Sequence, residues 1–198
     1  MEKEAWGTIG EFTFKWGDID RQQVERLKQI HCKFDKKTLH TIVEPLIEKH
    51  EPVSLRIVDW AAVNYSKQSP VEYVIMDSQG SEIHWSMHYS YKTWLRNYRR
   101  RCFDIFRRRS RIYFKGKDNR PIATTVAQLN FLFWMIIHDV VNWCSVNKEK
   151  VERNMINTLT KSKSDRIANK RKKRSELVKA SKKTSIVKQS RKIVFDPD

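Results

Sequence analysis

The spacing of apolar residues predicts three helices in the first third of the chain. Apolar side chains recur every three or four residues over residues 21–32, 36–49 and 55–66, which is the period of a helix with one buried face. The candidate N-caps are Asp18 or Asp20, Asp35, and Ser54. Pro45 lies inside the second helix and predicts a kink or break, because proline supplies no backbone N–H. Ahead of these helices, the alternating aromatic segment 11–16 predicts a short strand.

The middle of the chain changes to the period of a strand. Residues 71–77 and 82–89 alternate, and the Ser-Gln-Gly segment between them is typical of a turn, so together they predict a β-hairpin. Residues 91–106 return to helical spacing, with basic side chains spread over the face opposite the apolar one. Residues 111–115 predict another short strand.

The most apolar segment, residues 126–144, predicts a long buried helix capped by Thr124 or Thr125. Its longest unbroken apolar run is residues 131–137, whereas a membrane-spanning helix needs about 20 mostly apolar residues. We therefore expect a core helix and no transmembrane segment. A further helix is predicted over residues 146–159.

The composition changes after residue 160. Residues 161–190 contain no aromatic side chain and are dominated by Lys, Ser and Arg, which cannot bury enough apolar surface to fold. The predicted fold class is therefore α+β: a mainly helical single domain over residues 1–160, with a mid-chain β-hairpin and a long buried helix. A disordered basic tail over residues 161–198 follows it.

The formal net charge of +17 is concentrated in two blocks. Residues 91–120 carry 12 basic and 2 acidic side chains, and residues 161–198 carry 14 and 4, whereas residues 1–90 have a net charge of −3. Because attraction to a polyanion depends on the local field, such clustering indicates a polyanionic partner.

The chemistry of both blocks favours nucleic acid, DNA or RNA. In the first block arginines interleave with aromatic rings, and arginine both pairs with phosphate and stacks on bases. The KRKKR run of the second block fits nucleic-acid binding or a nuclear localisation signal. The alternative is a solvated face, or one that pairs with the acidic N-terminal half. The candidate nucleic-acid-binding residues are Arg96, Arg99, Arg100, Arg101, Arg107, Arg108, Arg109, Arg111, Lys115, Lys117, Lys170, Arg171, Lys172, Lys173 and Arg174.

The chain carries no recognisable catalytic motif. It has no nucleophile elbow, P-loop, dinucleotide-binding glycine motif or zinc-protease motif. Asp59, Asp77, Asp104 and Asp139 are isolated in the sequence, so we predict no catalytic residue, no enzyme and no cofactor. A nuclease with scattered carboxylates stays open as an alternative.

Histidines and cysteines do not form a metal motif either. His84 and His88 share a face of the predicted strand, for which a polar surface is the favoured interpretation over a metal site. Cys32, Cys102 and Cys144 lie far apart, which matches neither a disulfide framework nor zinc spacing and favours a reducing compartment.

Three segments resemble an uncharacterised protein family of large nucleocytoplasmic DNA viruses, including giant-virus and iridovirus-like members. They are residues 54–67, residues 101–107 and residues 122–134, and the most specific motif among them is Thr-Thr-Val-x-Gln-Leu-Asn-Phe. The resemblance extends over residues 54–196, including the closing Ile-Val-Phe-Asp. It implies a virus-encoded protein in the cytoplasm or nucleus of an infected cell, with the virion as a further location. The family brings no activity, so no functional residue is transferred.

These observations predict a non-enzymatic nucleic-acid-binding protein that acts mainly through phosphate contacts. The alternative is a virion structural or assembly protein whose basic surfaces bind acidic capsid or membrane components. The type of nucleic acid, its strandedness and the oligomeric state stay open.

Overall fold

Two hairpins that are distant in sequence form one antiparallel sheet in the computed structural model, which describes residues 5–76, 80–108 and 110–171. Strands β1 (Trp6–Ile9) and β2 (Phe12–Lys15) form the first hairpin. Strands β5 (Ile112–Lys115) and β6 (Pro121–Thr124) form the second, and β2 pairs with β5. Alternation places Phe12, Phe14, Ile112 and Phe114 in the core. The sequence predicted β2 and β5 but missed the short outer strands.

The predicted mid-chain hairpin is confirmed as strands β3 (Glu72–Met76) and β4 (Glu82–Ser86). Of its predicted turn over residues 78–80, residues 78 and 79 lie outside the described residues. The second strand is shorter than predicted, because helix α5 begins at Met87. Met87 is fully buried and its N–H donates to Val71, so the chain turns into the core there.

The N-terminal helices begin at predicted caps. Helix α1 (Arg21–His31) starts with a capping box, in which Asp20 accepts from the Gln23 N–H and the Gln23 side chain accepts from the Asp20 N–H. Helix α2 (Lys36–Thr38) starts at Asp35 and continues into two π-helical segments. Helix α3 (Leu55–Trp60) starts at Ser54 and continues through a π segment into α4 (Ser66–Gln68).

Of the kink or break expected at Pro45, the break does not occur, and the hydrogen bonding around the proline is π-helical. The π segments Leu39–Val43 and Pro45–Lys49 meet at Glu44, which keeps helical angles. A π turn pairs residues five apart, so the chain widens where the proline ring would otherwise meet the carbonyl four residues earlier. The helix ends instead at His50, which adopts a left-handed conformation.

Helix α5 (Met87–Cys102) ends earlier than predicted and is interrupted at Arg99, whose φ of 52° is not helical. The chain leaves the helix at Phe103 and inserts this ring into the core. The Phe103 ring stacks on Phe131 at 4.7 Å between centroids and is 1% exposed. Burial of a large aromatic ring thus outweighs continuation of the helix over residues 103–106.

The apolar segment forms a bent pair of helices rather than one. Helix α6 (Val126–Ile137) begins at the predicted cap Thr125, and α7 (Val140–Val146) follows after a left-handed Asp139 with φ of 54°. Every side chain of α6 from Val126 to Leu132 is buried. No single helix of the described residues is long and apolar enough to cross a membrane. Helices α6 and α7 meet the length and composition criteria only when taken together, and they are bent by 74° relative to each other.

Helix α8 (Lys148–Arg171) extends past the predicted boundary at residue 160. Residues 161–171 contain no glycine or proline that would end it. Contacts divide the chain into two units, Met1–Asn157 and Thr158–Asp198. In the first unit Asn154 of α8 accepts a hydrogen bond from the Trp60 indole at 2.9 Å. The predicted tail from residue 172 onward lies outside the described residues.

The break between α6 and α7 buries a histidine in an aromatic cluster. His138 stacks on Trp85 at 4.9 Å and lies beside Trp94 and Trp134. Neither of its ring nitrogens has a hydrogen-bond partner among the described residues. Burial lowers the pKa of His138 from 6.5 to about 4, so the ring is neutral at physiological pH.

This depressed pKa predicts a pH-dependent stability. The unfolded chain takes up a proton at His138 as the pH falls below about 6.5, whereas the folded protein does so only near pH 4. The free energy of unfolding therefore declines between these values and is constant, for this group, above them. Thermal unfolding of wild type and His138→Phe across this range checks it: the variant should show the shallower decline, and equal declines would contradict the assignment.

Candidate functional site

The loop that follows α5 is fixed by buried amide side chains of α6. Asn130 donates to the Cys102 carbonyl at 2.6 Å, and Gln128 donates to the Ile105 carbonyl at 2.9 Å. The Asp104 N–H returns a bond to the Ala127 carbonyl at 3.2 Å. Both amide side chains are at most 2% exposed. Because buried polar groups need partners, these bonds determine the path of residues 102–105.

A second layer of hydrogen bonds orients the two amides. The Thr124 hydroxyl donates to the Gln128 side-chain oxygen at 3.0 Å. The Arg26 guanidinium donates twice to the Asn130 side-chain oxygen, at 2.9 and 2.6 Å, and lies over the Tyr98 ring at 4.4 Å. The polar residues of the Thr-Thr-Val-x-Gln-Leu-Asn-Phe motif therefore have a structural role.

Replacing Asn130 is expected to destabilise the protein strongly. Asn130→Ala leaves the Cys102 carbonyl and the Arg26 guanidinium without their buried partner, which costs about 2–4 kcal/mol. Asn97→Ala, at an exposed position of α5, is the matched control and should change stability by less than about 0.5 kcal/mol. Chemical denaturation measures both, and equal losses would contradict the role of the motif.

The fixed loop brings Asp104 next to Asp59, which corrects the expectation that the two carboxylates are isolated. They line one pocket with a cavity of about 130 Å³. Asp59 belongs to α3 and Asp104 to the loop after α5. The pocket is lined by apolar and aromatic side chains and by two arginines as well: Val63, Tyr91, Leu95, Arg100, Phe103, Ile105, Phe106, Arg108 and Phe131. Of the other two predicted acids, Asp77 lies outside the described residues and Asp139 lies at the helix break.

The two carboxylates differ in their partners. Asp104 accepts a hydrogen bond from the Phe106 N–H at 3.1 Å, and its other oxygen lies 3.8 Å from Arg108. Asp59 forms no hydrogen bond or ion pair with any described residue, although it is half-buried. Burial, followed by the negative charge of Asp104, raises the pKa of Asp59, while Arg108 and Arg100 oppose that rise.

Neutralising Asp104 is expected to lower the pKa of Asp59. Asp104→Asn keeps an oxygen that can accept the Phe106 N–H but removes the negative charge. Asp139→Asn, an exposed acid at the helix break, should leave the pKa of Asp59 unchanged. A carboxyl NMR titration reads this pKa directly, and an unchanged value in Asp104→Asn would show that the two groups do not interact.

The described arginines between residues 96 and 108 fall into two groups. Arg96, Arg99 and Arg100 of α5 are exposed and form no ion pair with a described residue. The others are bound to the protein itself: Arg101 pairs with Asp20, Arg107 donates to the Ala123 carbonyl and lies 3.9 Å from Glu48, and Arg108 lies over the Phe106 ring beside Asp104. The alternative interpretation, in which the block pairs with acidic residues of the N-terminal half, thus holds for Arg101 and Arg107.

The remaining predicted residues lie further along the chain. Arg111 donates to the Arg107 carbonyl, and Lys115 and Lys117 are exposed around the turn between β5 and β6. Lys170 and Arg171 belong to the last turn of α8. Arg109, Lys172, Lys173 and Arg174 lie outside the described residues. Of the exposed arginines of α5, Arg100 lines the pocket.

The predicted strand face with two histidines does not form. His84 lies in β4, whereas His88 lies in the first turn of α5. Among the described residues there is no group of three or more metal-ligating side chains.

The pocket acids were missed because their meeting depends on tertiary structure. One signal was present: Asp59 follows the apolar residues Ile57 and Val58 and directly precedes Trp60. Burying a carboxylate costs free energy unless another group pairs with it, so an acid among apolar residues indicates a special environment.

Comparisons with known proteins give a viral relative of unknown activity. The chain is 28% identical over 123 residues to "Uncharacterized protein L507" of Acanthamoeba polyphaga mimivirus, which covers 60% of this chain and 47% of that protein. The chain thus spans about half the length of this relative. No solved structure matches this chain. Residues 10–198 match a family described as "Family of unknown function (DUF7197)", and the chain belongs to this family.

Proposed function

We propose that this chain is a non-enzymatic nucleic-acid-binding protein that acts mainly through phosphate contacts. The observation that carries the proposal is the group of Arg96, Arg99 and Arg100, which are exposed and form no ion pair with a described residue. A guanidinium without a carboxylate partner keeps its donors available for phosphate, which it binds in a bidentate geometry.

The surrounding charge supports the proposal. The segment 91–120 has a net charge of +10, and its ion pairs at Arg101, Arg107 and Arg108 are exposed on the arginine side. The carboxylates of these pairs are only 26%, 29% and 12% exposed, so the three arginines stay bound to the protein and contribute through their charge.

The relative from a large DNA virus supports a viral setting. We infer a virus-encoded protein that meets its nucleic acid in the cytoplasm or nucleus of an infected cell, with the KRKKR run of the tail as an import signal or further phosphate contact.

A second candidate is a virion structural or assembly role with an acidic protein partner. The β3–β4 hairpin favours it, because Val74, Met76 and Ile83 expose 46%, 62% and 44% of their surface. Co-purification with a capsid protein that survives nuclease treatment would support this role over the first.

Neutralising the three unpaired arginines is expected to weaken binding to all sequences alike. In Arg96→Gln/Arg99→Gln/Arg100→Gln, the slope of log K against log salt should become shallower by about 2–3, because three phosphate contacts are lost. The measurement is a titration with duplex DNA, single-stranded DNA and RNA at several salt concentrations.

The matched control is Lys33→Ala/Lys37→Ala/Lys49→Ala, which removes the same charge from exposed positions outside the block. It should change the slope much less. A wild-type affinity that does not depend on salt would remove the proposal, as would equal slopes in both triple variants.

A further inference from the structure

Two aromatic side chains lie on the outer face of the four-stranded sheet. The phenylalanines of β2 and β5 fill the inner face, where each is at most 2% exposed. Trp6 and Tyr113 lie on the opposite face, because their cross-strand partners Lys15 and Thr13 alternate with the phenylalanines of β2. Trp6 is 53% exposed, and its ring centre is 6.1 Å from that of Tyr113. Neither ring belongs to the core, so the two form an aromatic patch at the surface.

A groove on the same face leaves room beside the Tyr113 ring. Its cavity of about 460 Å³ is lined by Tyr113 and by small side chains of the outer face, namely Thr8, Thr13 and Pro121. Thr13 and Ala123 are the cross-strand partners of Tyr113, so neither neighbouring strand places a large side chain directly opposite it. Because an apolar cavity of about 150 Å³ admits benzene, this groove is large enough for a nucleobase.

Positive charge lies next to both rings. The Lys15 ammonium is 5.6 Å from the centre of the Trp6 ring. In the groove, Lys36 and Lys115 are basic and Glu11 is acidic. Glu11 pairs with Lys36 at 3.4 Å, so the charged side chains that line the groove leave it a net positive charge. Rings for stacking and cations for phosphate are the two components of a surface that binds single-stranded nucleic acid.

This combination favours a single strand over a duplex. In a duplex the bases stack on one another, so their faces are closed to protein side chains, whereas unpaired bases stack readily on aromatic rings. Antiparallel sheets that carry aromatic side chains on an open face bind single strands in this way. The positive charge of the groove favours a polyphosphate over a neutral or basic protein partner.

We propose that the outer face of the sheet binds single-stranded nucleic acid, with bases stacked on Trp6 and Tyr113 and phosphates on Lys15 and Lys115. This inference rests on the proposed function and narrows it. Lys115 belongs to the basic block of residues 91–120, so the block attracts the strand and the sheet distinguishes it from a duplex. Every base presents a ring face, so the surface selects for strandedness and not for base identity.

The test compares oligo-deoxythymidine with duplex DNA of equal length in wild-type protein, Trp6→Thr and Tyr113→Thr. Threonine suits a strand and removes the ring. Each variant should bind the single strand about fivefold more weakly or worse, because one stacking contact is lost. The affinity for the duplex and both salt slopes should stay at the wild-type values, since no charge is removed. Tyr89→Ala, which removes a 75% exposed ring from α5, is the control and should bind both ligands as wild type does.

A second measurement needs no variant, so it decides the matter even if one of them does not fold. Wild-type protein is irradiated in complex with an oligonucleotide that carries 5-bromouracil, which crosslinks to aromatic side chains stacked on it. Mass spectrometry of the crosslinked peptides should identify Trp6 or Tyr113.

The outcomes separate this inference from the function on which it rests. Salt-dependent binding of the single strand that neither ring variant weakens, or crosslinks confined to other parts of the chain, would overturn the role of the sheet and leave the phosphate contacts of α5 standing. Self-association of wild-type protein that both ring variants abolish, with single-strand affinity unchanged, would assign the face to a second copy and overturn the inference. Wild-type protein that binds no nucleic acid would overturn the proposed function itself.

Discussion

The buried amide side chains of Asn130 and Gln128 determine how the loop after α5 packs against α6. Asn130 and Gln128 hold the carbonyls of Cys102 and Ile105 against α6, and an unsatisfied carbonyl at that depth would cost about 1–3 kcal/mol. This restraint ends α5, inserts Phe103 beside Phe131, and delivers the chain to β5. The core, the pocket and the sheet therefore share one set of hydrogen bonds.

Local signals predicted those parts of the fold that local interactions determine. The caps at Asp20, Asp35, Ser54 and Thr125 begin their helices because each side chain accepts from a backbone N–H three residues later. The mid-chain hairpin likewise follows from the alternation of neighbouring residues.

The incorrect predictions concern parts of the fold that depend on contacts between residues distant in sequence. Strands β1 and β6 are the two edges of the sheet, and pairing with β2 and β5 gives them their structure. The helix expected over residues 126–144 breaks at His138, and the 74° bend there packs α7 against the core. This tertiary packing cannot be predicted from the spacing of neighbouring residues. The same holds for the pocket, since Asp59 and Asp104 become neighbours only after α3 and the loop after α5 have packed.

The basic block shows how one run of charge can serve two purposes. Arg101 and Arg107 reach Asp20 and Glu48, carboxylates of the N-terminal third, and so help to join distant segments. Each ion pair neutralises its two charges at short range, whereas the electrostatic field at a distance depends on the net charge of the whole block. Residues 91–120 carry twelve basic and two acidic side chains, and the carboxylates that pair with described members of the block include Asp20, Glu48 and Asp104. Internal pairing therefore positions part of the block and leaves it a net positive charge, which is the property on which the proposed phosphate contacts of Arg96, Arg99 and Arg100 rest.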